Sequence, residues 1–384
     1  MLYPDKVKSK LPKTGTSIFA IMSQMANEHR AINLSQGFPD FDCSPSLIKL
    51  VNASMTKGFN QYAPMPGVLK LREAISEKTE KLYSSFYDPE KEITITAGAT
   101  QALYTAISAF INENDEVIVI EPAYDSYVPA ILINGGKPVF VGMKQPDNHV
   151  DWEELQMAIN PQTKMIIINT PHNPTGTIFS SQDMEKLKKA VAGTNIIILS
   201  DEVYEHIIFD GYEHQSISRY PGLAERSLVI SSFGKTYHTT GWKMGYCIAP
   251  ENLMIEFRKV HQFVVYAVNT PIQYAVAKFL KREDLYLELG SFYQKKRDFF
   301  NNLVKESRFK LQPAKGTYFQ LLDYSDISDE NDVLFAERLT KEHKIASVPV
   351  SVFNHDLADH KVLRFCFAKS EETLEKAAEK ILKI

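Results

Sequence analysis

The stretch Ser231-Ser232-Phe233-Gly234-Lys235-Thr236-Tyr237-His238-Thr239-Thr240-Gly241-Trp242-Lys243 follows an apolar run, residues 227–230, that reads as a buried strand. Where the run ends, Ser, Phe and Gly signal a turn, so Lys235 is expected on a loop at a strand end. A surface lysine sits among polar neighbours. Lys235 sits among aromatic and glycine residues, where partial loss of water lowers an amine's pKa, and only the neutral amine attacks a carbonyl. Small hydroxyl residues flank it and a second cation, Lys243, follows, a set that suits a phosphate. By themselves these residues also fit a plain strand-end loop.

Outward from this stretch, strands and helices alternate. Residues 92–96, 116–120, 137–141, 165–169, 195–200, 227–231 and 245–249 read as strands; 68–83, 102–111, 124–134, 152–159 and 182–192 read as helices. The strands are near-continuous Val/Ile runs without polar alternation, as in a parallel sheet covered on both faces. The expected fold class is therefore α/β, a doubly wound, mostly parallel sheet, with ligands at the carboxyl ends of its strands. From about residue 250 the pattern turns helical, with a connecting helix or helix pair over 274–304. Strands over 315–322, 345–349 and 362–367 and an amphipathic helix over 371–384 then predict a smaller α+β domain.

The strand ends carry chemistry. Asn173 follows the strand ending at 169, Asp201 and Tyr204 follow the one ending at 200, and Lys235 follows the one ending at 231. Ala99, Thr100 and Gln101 lie between a strand and a helix, where free N–H groups, a hydroxyl and the helix dipole would receive an anion. Tyr124 opens a predicted helix, and Tyr62 stands in a rigid Pro-rich turn. Gly37 lies in a turn where backbone would approach a ligand closely; a simple surface turn fits equally. Arg364 stands mid-strand between apolar residues and needs an anion, either a ligand or a structural carboxylate.

Composition narrows the function classes. The 384 residues are 44% hydrophobic and 23% charged, ordinary for a globular chain large enough for two packed units. A net charge of −4 gives no reason to expect nucleic acid or an anionic membrane as partner. No apolar run has the length of a membrane span, and the first thirty residues lack the apolar core of a signal peptide. Cys43, Cys247 and Cys366 are far apart and odd in number, and the histidines are dispersed, so neither disulfides nor a metal is expected and a reducing cytoplasm is the default.

Pyridoxal 5'-phosphate would use every one of these groups. Its aldehyde suits Lys235, its ring nitrogen Asp201, and its phenolic oxygen Asn173 and Tyr204. Its ring face suits Tyr124, and its phosphate the Ala99-Thr100-Gln101 turn, Ser232, Lys243 and Tyr62. Arg364 would hold an amino acid carboxylate in a fork. In Asn173-Pro174-Thr175-Gly176, Asp201-Glu202-Val203-Tyr204, Ser232-Phe233-Gly234-Lys235 and Leu363-Arg364-Phe365, the chain closely resembles the fold-type I, class I/II aminotransferases, essentially end to end. Within them it resembles the kynurenine/glutamine branch, nearest the bacterial methionine aminotransferases, on Gln36 to Phe41, Thr170 to Pro174 and Ser231 to Gly245.

The resemblance implies a homodimer whose active sites lie at the interface, with Tyr62 and residues near Tyr266 crossing from the partner. It implies an arm, 1–45, that joins the small domain, 281–384, against a large cofactor-binding domain, 46–280. Gly37 backbone, Asn173, Arg364, Tyr62, Ile18 and Phe38 become the expected substrate contacts, and Lys235, Asp201 and Tyr204 the catalytic ones. Two departures stand out. Lys243 replaces the arginine of many relatives with a point charge. Residues 263–269 lack the cation that aspartate-type members use, so an uncharged, bulky side chain is expected in the donor. The expected reaction is ping-pong transfer of an amino group to a 2-oxo acid. Its rivals are β-lyase cleavage of cysteine S-conjugates and a non-enzymatic ligand-binding role.

Overall fold

The computed structural model describes residues 7–384, so residues 1–6 of the expected arm lie outside it. The strands of the large sheet are β1 (Ile93–Thr96), β2 (Glu116–Glu121), β3 (Lys137–Lys144), β4 (His149–Val150), β5 (Thr163–Asn169), β6 (Ile197–Asp201), β7 (Ser227–Ser232) and β8 (Gly245–Ile248). Among the described residues they are ordered β1-β8-β7-β6-β5-β2-β3-β4. The central pairs β7–β6, β6–β5, β5–β2 and β2–β3 are parallel. Their unbroken apolar runs follow from burial on both faces. Ile118, Ile166 and Ile198 enter one layer of the first core, and their neighbours Val117, Ile167 and Leu199 the layer on the other face of the sheet.

β8 departs from the parallel pattern. It runs antiparallel to both β1 and β7, and so brings Gly245 to the site end of the sheet. A Cβ on Gly245 would stand 2.7 Å from Ser231 O and 3.1 Å from Ala99 N, so only glycine lets β8 pass so close to the next helix start.

The second core is built on β9 (Lys310–Leu311), β10 (Phe319–Asp323), β11 (Val348–Pro349) and β12 (Val362–Cys366), an antiparallel sheet ordered β9-β10-β12-β11. Helices Leu289–Val304 and Glu371–Ile381 cover it. Helix Ile18–Glu28 joins the same core through Met22, and Ile32–Asn33 pairs with Ile345–Ala346. Helices Ile18–Glu28 and Glu371–Ile381 thus share one core, with Arg364 on its central strand.

Several boundaries differ from the sequence reading. Lys235 lies on the short helical turn Phe233–Thr236, not on a loop. The helix expected from residue 102 starts at Ala99, because Gly98 takes φ +77° and turns the chain directly into it. Tyr124 precedes its helix, Tyr127–Ile133, and lies in the turn before it. The segment 274–304 is broken into Thr270–Phe279, Asp284–Leu287 and Leu289–Val304. Residues 315–318 are not strand: Lys315 and Gly316 donate instead to Gly176 O. Helices Pro45–Thr56 and Glu251–Val264 also form.

Candidate active site

A cavity of about 250 Å³ opens where β5, β6 and β7 end and where the arm and β12 face them. Gly37, Ala99, Thr100, Tyr124, Asn173, Asp201, Tyr204, Ser232, Lys235, Lys243 and Arg364 all line it.

At the end of β6, Asp201 is 3% exposed. Tyr127 donates its hydroxyl to Oδ2 at 2.6 Å, and Val203 N–H donates to Oδ1 at 3.3 Å. Burial pushes the carboxyl up to about 6, against the pull of these donors and of Lys235. Asn169, at the end of β5, braces both neighbours: its amide donates to Asp201 O at 2.9 Å and its Oδ1 accepts from Asn173 N at 2.8 Å.

The Lys235 amine donates to the Tyr318 hydroxyl at 3.0 Å and to Gly37 O at 3.3 Å. Burial lowers its pKa to about 8; Cys366 and Asp201 oppose the fall, and Arg364 and Lys243 assist it. The neutral amine is therefore accessible near neutrality, which is the property a carbonyl-attacking lysine needs.

Arg364 is 1% exposed. Its Nη1 donates to Asn173 Oδ1 at 2.6 Å and its Nη2 to Ser35 O at 2.8 Å, with the guanidinium 3.8 Å from the centre of the Phe319 ring. Its Nε has no partner, and no carboxylate among the described residues forms an ion pair with it. The structural salt bridge weighed from the sequence is thus not made. A buried guanidinium held only by neutral acceptors fits an anionic ligand.

On the opposite wall the helix beginning at Ala99 presents its first-turn N–H groups, which have no intrahelical acceptors. A Cβ on Gly98 would lie 3.5 Å from Lys243 Nζ, so the glycine keeps open a cradle between the helix start and that ammonium. Dipole, hydroxyls of Thr100 and Ser232, and cation converge as a phosphate requires.

Other expected contacts lie elsewhere. The Gln101 side chain turns away: its Oε1 accepts from Ala97 N at 2.9 Å and its amide donates to Thr105 at 2.6 Å, leaving only its backbone at the helix start. Tyr62 is 82% exposed and packs edge-on against Tyr266, outside this cavity. Phe38 lies beneath Lys369, and Ile18 packs against the second core. The sequence reading missed Tyr127, Asn169 and Tyr318. Asn169, at a predicted strand terminus, carried a positional signal. The other two are joined to the site only by tertiary contacts.

Beneath the site a charge pair fixes the segment after β6. Lys78 and Glu205, 3% and 4% exposed, meet at 2.7 Å, and Tyr83 and Tyr246 also donate to that carboxylate. Burial pushes the Glu205 carboxyl up, and Lys78, His206 and Tyr83 reverse this, holding it well below the usual range. Lys78→Met would strand a buried carboxylate, with an expected loss of about 3–5 kcal/mol in denaturant unfolding. An unchanged midpoint would refute that assignment.

The family profile "Aminotransferase class I and II" matches residues 29–381. The methionine aminotransferase of Escherichia coli is 50% identical over 97% of this chain and 97% of its own. The kynurenine–oxoglutarate transaminase of Dictyostelium discoideum is 35% identical over 100% of this chain and 98% of its own. The crystal structure of E. coli YbdL, reported with a methionine aminotransferase function, aligns with a TM-score of 0.97 and 49% identity, covering 99% of this chain and all of that one.

Proposed function

The chain belongs to the class I and II aminotransferases, and from that premise we propose that it moves the amino group of a bulky, uncharged L-amino acid, methionine foremost, to a 2-oxo acid. The observation that carries this reading is the shared cavity of Lys235, Asp201 and Arg364, the last without a carboxylate partner among the described residues. The cofactor is pyridoxal 5'-phosphate. When bound, it supplies a carbonyl that condenses with amines and a ring that accepts the electron pair left behind by the α-proton.

The residues present fit it. Lys235 would hold the aldehyde carbon, Asp201 the ring nitrogen, Asn173 and Tyr204 the phenolic oxygen, and Tyr124 the ring face. The helix start at Ala99, Thr100 and Gln101, with Ser232 and Lys243, would hold the phosphate. Arg364 and the Gly37 backbone orient the amino acid's carboxylate. Lys235 Nζ, freed by the substrate amine, would take the α-proton and deliver it to the carbon the lysine had held, and Asp201 would keep the ring nitrogen protonated. The first oxo acid leaves before the second binds, so the same residues serve both half-reactions.

Residues 263–269 bring no cation, and dicarboxylic donors should be poor. Phe263, Tyr62 and Tyr266 are 87%, 82% and 54% exposed. Such exposed aromatic residues support a homodimer in which Tyr62 completes the partner's site. Division into an arm 1–45 with a small domain 281–384, and a large domain 46–280, is supported by the core that Met22 and Leu34 share with helices Leu289–Val304 and Glu371–Ile381. No helix among the described residues is long and apolar enough to cross a membrane; we place the enzyme in the cytoplasm on its dispersed, unpaired cysteines.

The test is visible absorbance of the purified protein. L-Methionine without an acceptor should bleach the band of the lysine-bound cofactor, and a 2-oxo acid should restore it. A band unmoved by methionine would refute the donor assignment, and L-aspartate should bleach it far more slowly.

A further inference from the structure

The Lys235 amine has its two polar partners on one side. Tyr318 Oη is 3.0 Å away and Gly37 O 3.3 Å, and Tyr318 donates its own hydroxyl to the same Gly37 carbonyl at 2.6 Å. Tyr318 is fully buried, its ring edge-on to Tyr204 and Phe319 at 5.1 and 4.9 Å. Burial pushes its phenol well above the ordinary value, so it stays neutral and does not exchange a proton with the lysine. A neutral amine carries two N–H bonds and one lone pair at tetrahedral corners. Gly37 O and Tyr318 Oη lie closer together than two tetrahedral N–H bonds spread, so the N–H groups straddle them in bent hydrogen bonds and the lone pair is left off that side of the amine.

We propose that Tyr318 is a positioning residue that, together with the Gly37 carbonyl, aims the lone pair of the released Lys235 amine at the substrate's α-carbon. The proposal rests on Lys235 as the proton carrier described above. It also couples that aim to substrate recognition. Arg364, the carboxylate anchor, holds Ser35 O at 2.8 Å, two residues from Gly37, so one short segment of the arm joins the anchor to the base. Sequence periodicity assigns Tyr318 no role, since its hydroxyl meets the lysine only by tertiary contact.

Tyr318→Phe keeps the ring and its packing and removes the hydroxyl alone. In the holoenzyme, the single-turnover rate with methionine should fall about 10- to 100-fold, the cost of a misaimed reacting group. The apparent methionine affinity should stay within about threefold, and α-deuterated methionine should slow the variant more than the parent.

A second readout does not depend on turnover. In the full chain freed of cofactor, the pH profile of Lys235 acylation, read by mass spectrometry, should have its midpoint near 8 in the parent. The variant's midpoint should lie about one pH unit lower, because the ammonium loses one of its acceptors. The other groups facing the amine, Asp201 on β6, Arg364 and Cys366 on β12, Lys243 and the Tyr204 ring, are common to both proteins. A rate within about twofold of the parent, or a lower rate with the isotope effect and labelling midpoint unchanged, would overturn the proposal. A parent that ignores methionine would sink the donor reading, and the labelling midpoint would still decide whether Tyr318 holds the amine.

Discussion

Lys235→Ala should abolish turnover, a loss of at least about 10⁴-fold, because one atom supplies both the nucleophile and the proton carrier. Burial lowers the Lys235 amine to about 8. Lys243, on the phosphate side, does not replace it. The alanine variant should still take up the cofactor without a covalent bond, through the helix beginning at Ala99 and through Lys243. Its absorbance should then lack the lysine-bound band while equilibrium dialysis shows retained binding. Lys235→Arg separates charge from proton transfer: a guanidinium keeps the positive charge and does not release its proton in this pH range, so it should be equally inactive. Near-normal activity in either variant would sink the mechanism.

Asp201→Asn should lower the methionine half-reaction about 10³-fold, the scale on which a preorganised charge acts in a dry site. The asparagine has the same shape, and its carbonyl oxygen still accepts from Tyr127 or Val203. What is lost is the negative charge that stabilises a protonated ring nitrogen. The parent carboxyl, raised to about 6, is largely ionised at pH 7. Removing the Tyr127 hydroxyl tests that balance. Its 2.6 Å donation favours the ionised form, so Tyr127→Phe should raise the Asp201 pKa further. Activity lost on acidification should then begin at a higher pH than in the parent. A loss below about tenfold in Asp201→Asn, or an acid limb that does not move in Tyr127→Phe, would show that this carboxylate does not carry the electrostatic role.

The residues that make the site chemically distinctive were legible because each marks a strand end. Asn173, Asp201 and Lys235 follow three unbroken apolar runs, and a parallel sheet places the carboxyl ends of its strands on one rim. The Ala99 turn was legible for the same reason, since small residues between a strand and a helix mark an anion cradle. Arg364 stood out as a cation inside an apolar strand. The sense of β8 was not legible: Gly245–Ile248 has the composition of its parallel neighbours, and antiparallel pairing with β1 and β7 depends on which edges remain open after the others have paired. Tyr62, expected to cross to a partner's site, packs on Tyr266 outside the cavity of its own chain.

By itself the sequence determined the layered α/β class, the rim on which the chemistry gathers, and the residue types that bind a phosphorylated aldehyde and a carboxylate. These depend on local signals: apolar run length, turn residues and the chemistry at each run's end. The tertiary structure alone decided who supports whom. Tyr127 meets Asp201 across 74 positions, Glu205 meets Lys78 across 127, and Tyr318 meets Lys235 across 83. Such pairings arise when burial leaves a polar group with no water and few available partners, a condition no periodicity along the chain records.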